Sequence, residues 1–245
     1  MVKILVSKIL ISCIIFSQFW AVNVNAVELY TEDFPPYNYV ENGKLKGIGF
    51  GIVEQLAQKV GETPSIRVLP WSRAYKYAKE MPDAGIFSIV RTSGRERSFY
   101  WVGPLYTIRV GLYTLAEKKH LYQGNNIRRL EKAREINDIG VQQDGAGEEF
   151  LANLSFQNLH TITNVKKSLL LLLKGRYQLL ETSKDFISYM AKKEGLPSDK
   201  FSEAAFIGNY DMYLAFSKKT SLETIQKWQN ALDEIQKEEM ARNLN

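Results

Sequence analysis

Three short segments concentrate the side chains able to recognise a polar solute. Phe34-Pro35-Pro36-Tyr37 places two aromatic rings on a loop stiffened by proline. Leu69-Pro70-Trp71-Ser72-Arg73 adds an indole and a guanidinium in the same way. Arg91-Thr92-Ser93-Gly94-Arg95-Glu96-Arg97 is denser in guanidinium groups and runs into Phe99-Tyr100-Trp101. A guanidinium fork takes a carboxylate through two parallel hydrogen bonds, each charged bond contributing roughly 1.5–3 kcal/mol. Aromatic faces add apolar walls and cation–π partners. The competing reading, core rings beside a solvated charged face, fits any one of these residues. It fits less well three clusters that each follow a strand pattern.

Catalytic and metal-binding patterns are sparse. His120 and His160 are the two histidines, far apart and without metal-ligand spacing. No G-x-S-x-G, Walker loop or dinucleotide glycine fingerprint occurs. Gly47-Ile48-Gly49-Phe50-Gly51 has the wrong spacing for phosphate and suits a turn entering a helix. Glu148-Glu149 are adjacent, so on a helix they point apart and form no dyad by themselves. The pattern is that of a binder without cofactor or metal rather than of an enzyme.

The elements that would carry these segments alternate. Val27–Thr31 reads as a half-buried strand, Gly47–Gly61 as a helix with Ile52, Leu56 and Val60 on one face and Gly61 as its C-cap, and Ile66–Leu69 as a second strand. Trp71–Met81 reads as a helix, Ala84–Val90 as a buried strand and Val110–Ala116 as another. A short helix over Leu130–Ile136 precedes a strand at Ile139–Gln142. The leucine-rich Ser168–Lys174 reads as a core helix ending at Gly175. From Ser221 onward, Leu222, Ile225, Trp228, Leu232 and Ile235 recur at helical spacing. Strands separated by helices predict an α/β fold with largely parallel sheets, whose ligands sit past the carboxyl ends of the strands. All three recognition segments fall there.

The chain has 245 residues, 45% hydrophobic and 24% charged, with a formal net charge of +5 and both signs mixed throughout. That excludes disorder and gives no dense basic stripe of the kind nucleic acid requires. Residues 1–26 read as an export signal: Lys3 and Lys8, an apolar Ile9–Trp20, then Val24-Asn25-Ala26 before the cleavage point. Leu10-Ile11-Ser12-Cys13 fits a lipid-attachment box only loosely. Cys13 is the only cysteine, so cleavage leaves no thiol and no disulfide. The expectation is a periplasmic protein.

The order of motifs resembles the family 3 extracellular solute-binding proteins, the amino-acid receptors of ABC transporters, nearest the histidine- and lysine/arginine/ornithine-binding branch. The resemblance rests on a strand followed by Phe34-Pro35-Pro36-Tyr37, Gly43 through Gly47 leading into a helix, Pro70-Trp71, and Asp83-Ala84 before a strand. Thr92-x-x-Arg95, Pro104-Leu105-Tyr106, Ile139-Gly140-Val141 with Gly145, and Gly175-Arg176-Tyr177 continue it. It implies a type II two-lobed periplasmic-binding-protein fold, each lobe a mostly parallel sheet flanked by helices, joined by two hinge strands. Lobe 1 is expected over 27–112 plus 215–245 and lobe 2 over 113–214.

By position, the resemblance makes Arg95 the grip on a ligand carboxylate, Phe34 the ring packed on the ligand, and Ser88 a contact from its strand, with Trp71 and Arg73 beside the cleft. Gly145 and Ala146 stand where the family has hydroxyl residues at a helix N-terminus. Ser183 stands where the family has the aspartate that holds the ligand amino group. Glu181, Asp185 and Asp144 are the candidate substitutes, and Val90 replaces a small polar residue. The resemblance therefore implies a monomer capturing an amino acid or other small carboxylate between its lobes, with an ABC permease as partner. The alternatives are a solute sensor without transport, or a periplasmic enzyme of lyase or dehydratase type using Glu181 or Glu148 as acid–base group.

Overall fold

The computed structural model describes residues 27–135 and 138–243. The expected export signal lies outside them. From the first described strand the chain alternates as its apolar periodicity requires. β1 (Glu28–Thr31), β4 (Ser65–Val68) and β5 (Ala84–Val90) pair in parallel, with β1 central. A hairpin of β2 (Tyr39–Glu41) and β3 (Lys44–Lys46) turns at Asn42-Gly43 and leads into α1 (Ile48–Val60). α1 buries Val53, Leu56 and Val60 and ends on Gly61, whose left-handed φ of 70° lets its N–H turn back to the last carbonyls. α2 (Trp71–Glu80) starts directly after Pro70, where the fixed φ suits a helix entry.

The two longest strands organise everything else. β6 (Phe99–Leu115) and β10 (Phe201–Ser217) each have 17 residues, which at strand rise is about 55 Å. They pair antiparallel along their whole length, from Phe201 opposite Leu115 to Ser217 opposite Phe99. At one end β10 takes β5 as its other neighbour through Met212–Phe216. At the opposite end β6 takes β9 (Leu179–Ser183) through Val110–Tyr113. Beyond β9 lie β7 (Ile139–Gln142) and β8 (Leu159–Ile162), again in parallel. One sheet of order β4-β1-β5-β10-β6-β9-β7-β8 results, parallel in both wings and antiparallel where the long strands cross.

Each wing has its own core. Val102, Leu214 and Phe216 join Leu29, Leu56, Phe87 and Trp228 at one end. Tyr113, Leu115 and Phe201 join Leu169, Leu180 and Phe186 at the other. Two cores threaded by two strands make the fold two-lobed, as a type II binding-protein fold is. The second wing is flanked by α3 (Asn126–Arg134), α4 (Ala146–Asn153), α5 (Ser168–Leu173) and α6 (Lys184–Lys193). The C-terminal α7 (Leu222–Asn243) returns to the first wing and inserts Trp228 and Leu232.

Several expected boundaries shift. The strand expected over Val110–Ala116 begins at Phe99 and ends at Leu115; Ala116 opens a 3₁₀ turn. Its first half is concealed in sequence by Gly103-Pro104, which the ladder accommodates as a bulge: Met212 pairs with Tyr106 and Leu214 with Val102. Gly103 has φ 147°, and a Cβ there would stand 2.5 Å from the Tyr213 ring, so only glycine fits. The helix expected over Leu130–Ile136 starts earlier, because Asn125 caps it by accepting the Arg128 N–H at 3.1 Å. Ile136 lies outside the described residues. Leu222, expected on the apolar face of α7, is exposed. No described helix is long and apolar enough to cross a membrane.

Candidate ligand cavity

A cavity opens where the carboxyl ends of β1, β5, β7 and β9 converge on the crossing strands. Its volume is about 80 Å³, counted over positions open to the centre of a water molecule. A single water needs roughly 10–15 Å³ on that measure, so the space holds a small solute or several waters. Glu32, Phe34, Trp71, Ser88 and Arg95 line it from the first wing; Gln142, Gly145, Ala146, Gly147, Glu181 and Ser183 line it from the second. Tyr210 and Met212 of β10 form part of its wall.

Arg95 sits just before a 3₁₀ turn and is 5% exposed. Its Nη1 donates to the Val90 carbonyl at 3.1 Å and its Nη2 to the Asp144 carbonyl at 2.8 Å. The guanidinium carbon lies 5.2 Å from the Trp71 ring centre and 5.5 Å from that of Tyr75. Burial lowers its pKa, opposed by Tyr75, Glu149, Glu32 and Asp144. Among the described residues it forms no ion pair. A guanidinium stacked on rings and oriented by two carbonyls, with no carboxylate at ion-pair distance among the described residues, has the chemistry to take an anion.

Trp71 is the first residue of α2, and its indole N–H donates to the same Asp144 carbonyl at 2.8 Å. Ser88 has a left-handed φ of 61° where β5 and β10 fall out of register. That bend costs about 1–3 kcal/mol and turns the hydroxyl into the cavity wall. Ser88 Oγ donates to Asn38 Oδ1 at 2.5 Å and accepts from the Tyr106 hydroxyl at 2.7 Å. Phe34 stacks on Phe186 with ring centres 5.2 Å apart, so one face of it is committed to packing across the wings.

Two carboxyl groups face the same space. Glu32 accepts from the Gln142 amide, and burial raises its pKa to about 7. Glu181 is raised to about 7 by desolvation alone. Ser183 is the N-cap of α6: its Oγ accepts from the Phe186 N–H at 3.1 Å and from the Tyr37 hydroxyl at 3.0 Å. Gly145 is the N-cap of α4 and offers only backbone, as does Ala146 beside it.

Three expected residues are left out. Arg73 is exposed and lines a neighbouring groove with Gln143 and Thr163, because two residues past Trp71 on α2 its side chain leaves from nearly the opposite side of the helix. The Asp144 side chain is exposed too; its Oδ2 accepts from Ser72 Oγ at 2.6 Å, and only its carbonyl turns toward Arg95. Asp185, the third substitute for the missing aspartate, lies off the cavity lining and accepts from the Tyr37 hydroxyl at 3.1 Å. Glu32, Gln142, Gly147 and Tyr210 were not expected. Glu32 immediately follows β1, and that topological position was the available signal; Tyr210 lies in a strand with no clean apolar period. No cluster of three or more metal-ligating side chains occurs among the described residues.

Residues 29–245 match the family model for bacterial extracellular solute-binding proteins, family 3. The chain belongs to that family. No curated protein matches it by sequence. Solved structures match its fold at low identity. A histidine kinase sensor domain with similarity to periplasmic binding proteins has TM-score 0.74 at 17% identity, covering 89% of this chain and 93% of that one. An ancestral arginine-binding protein bound to arginine has TM-score 0.71 at 19% identity, covering 86% and 92%. The arginine-, lysine-, histidine-binding protein ArtJ from Geobacillus stearothermophilus has TM-score 0.69 at 16% identity, covering 86% and 90%. This family 3 chain is thus a ligand-binding protein by membership.

Proposed function

We propose that this protein captures a small carboxylate-bearing solute, an amino acid or a related polar compound, between its lobes in the periplasm, and hands it to an ABC-type permease as a monomer. The observation that carries the reading is Arg95: a buried guanidinium lining the cavity with no carboxylate partner among the described residues. Trp71, Phe34 and Ser88 wall the guest on the first lobe, while Gly145, whose N–H is held by the Gln142 carbonyl at 3.0 Å, leaves Ala146 to present its backbone N–H in the first turn of α4. We place the lobe crossings within the long strands near 107–109 and 208–211, since pairing with β9 already begins at Val110. Guest contacts to both lobes favour the closed form in proportion to its differential affinity.

Thermal-shift screening and calorimetry against amino acids and small carboxylates test this. Arg95→Ala is expected to weaken the best carboxylate by roughly 2–5 kcal/mol; unchanged affinity would remove the anchor. A sensing role without transport is the second reading, favoured by the sensor-domain likeness. Binding that alters a membrane kinase's activity, with no permease-dependent uptake, would establish it.

A further inference from the structure

Arg95 stands in the loop over 91–98, which joins β5 to β6. Arg91 and Glu96 close that loop on itself. Arg91 Nε donates to Glu96 Oε2 at 2.7 Å and Arg91 Nη2 to Oε1 at 2.5 Å, a two-pronged fork between residues five apart. The Trp101 indole N–H adds a further hold, donating to the Glu96 carbonyl at 3.2 Å. Inside the clasp, the Arg95 N–H donates to the Thr92 carbonyl at 3.1 Å and the Ser98 N–H to the Arg95 carbonyl at 2.9 Å.

The two guanidinium groups rest on one row of rings. Arg91 lies 5.5 Å from the Trp101 ring centre and 5.8 Å from that of Tyr213. Trp101 meets Phe99 at 5.7 Å and Phe99 meets Tyr75 at 5.4 Å, both edge to face, and Tyr75 is one of the two rings against Arg95. Arg95 occupies the buried end of the row; Arg91 occupies the exposed end and does not line the ligand cavity. An exposed ion pair ordinarily contributes little to stability. This one is forked, stacked on rings, and closes the loop that carries the anchor.

Only some of these holds survive opening of the cleft. Glu149 grips the loop at Thr92 and Gly94, and the Asp144 carbonyl takes Arg95 Nη2, but both come from the second lobe. They part when the lobes part, which is when a guest arrives. Arg91, Glu96, Trp101, Tyr213 and the Val90 carbonyl that accepts from Arg95 Nη1 all belong to the first lobe and stay in place.

We propose that Arg91 is a positioning residue: its clasp on Glu96 keeps Arg95 aimed into the open cleft, so that an arriving carboxylate meets a preorganised guanidinium. This role rests on Arg95 being the carboxylate anchor and deepens that reading.

The test uses the chain without its leader, with calorimetry against the standard amino acids and their α-carboxamides. Arg91→Ala is expected to weaken the best-binding acid by about five- to tenfold and its amide far less, so the preference for the acid shrinks. A loss of structure alone would weaken both alike. Glu96→Ala should act in the same way, and the double variant should lose no more than either single one. Arg97→Ala removes an equal charge from the same loop and should leave the preference unchanged, which separates positioning from long-range attraction. Hydrogen exchange at the Arg95 and Ser98 amides of the ligand-free chain should quicken about tenfold in Arg91→Ala and keep the parental rate in Arg97→Ala. Parental exchange in Arg91→Ala, or acid and amide weakened alike, would overturn the positioning role. If Arg91→Ala keeps the preference and Arg95→Ala loses it, the anchor stands and the clasp falls. If both variants keep it, the anchor falls and the clasp with it. Should no compound bind, the exchange rates decide alone.

Discussion

Arg95 holds Asp144 by its backbone carbonyl, at 2.8 Å, and not by its carboxylate, which is turned away onto Ser72. The bond therefore fixes the turn before α4 against the first lobe whatever side chain stands at 144. The indole N–H of Trp71 reaches the same oxygen, so one carbonyl collects two donors from the opposite lobe.

The consequence is an asymmetry between two neighbouring substitutions. Asp144→Asn keeps a side chain that suits the left-handed φ of 56° there and weakens only the exposed bond to Ser72, so it is expected to change ligand affinity and melting temperature little, by about 0.5 kcal/mol or less. Trp71→Phe keeps an aromatic face, though a smaller one, but deletes the N–H, leaving the carbonyl one donor short, and should weaken closure by about 1 kcal/mol or more. Calorimetry on both variants with the best compound of the panel separates the two.

A second bridge between the lobes runs through Glu149. Its Oε2 accepts from Thr92 Oγ1 at 2.8 Å and its Oε1 from the Gly94 N–H at 3.2 Å. Glu149→Ala should cost the closed form about 1 kcal/mol, roughly a fivefold shift toward open molecules. Small-angle X-ray scattering of the ligand-free variant should show a larger radius of gyration than the parent. An unchanged radius would mean that Glu149 does not hold the lobes.

Stability should depend on pH in an unusual direction. Glu32 and Glu181 titrate near 7 in the folded chain against an ordinary 4.5. Between those values the folded chain carries more protons than the unfolded one, so stability falls as pH rises from about 4.5 to 7. The loss is on the order of 3 kcal/mol per group. The charged groups acting on these carboxyls are Arg95, which lowers Glu32, and Asp33, which raises it; Glu181 has desolvation alone. Melting temperatures of the ligand-free protein at pH 5 and 8 check this. Glu32→Gln with Glu181→Gln should flatten the difference.

Ser88 offers a test of backbone strain at the cavity. Ser88→Val puts a β-branched side chain at φ 61° and deletes both hydroxyl bonds, so it should cost about 3 kcal/mol or more. Ser88→Gly relieves the strain while losing the same bonds and should cost about 1 kcal/mol. Denaturant unfolding gives both values; equal losses would deny the strain.

Much of the fold was legible because local pattern and tertiary role agree. β1, α1 with its Gly61 cap, α2 after Pro70, the buried β5 and the amphipathic α7 all follow from period and capping chemistry. The long strands were not, since their partners change halfway. β10 must face β5, β6 and two cores in turn, so no single alternation survives along it. Glu148 and Glu149 show the same limit at the site. Adjacent in sequence, they diverge on α4: one turns back to the Asp144 N–H at 2.7 Å and the other crosses to Thr92.

What the sequence determined by itself was the class of fold, the family and the residue types offered to a guest. Arginine, aromatic rings and glycine at strand ends are chemical facts that no packing alters. Which of them meet was decided only by tertiary structure. Arg95 and Glu181 belong to segments far apart in the chain, and only the pairing of β6 with β10 sets their distance. Arg73 has the same chemistry as Arg95, yet its position on the outer face of α2 sends it to solvent. The physical reason is that charge and shape are properties of a residue, whereas burial, and with it the strength of an interaction, is a property of the space that other segments enclose.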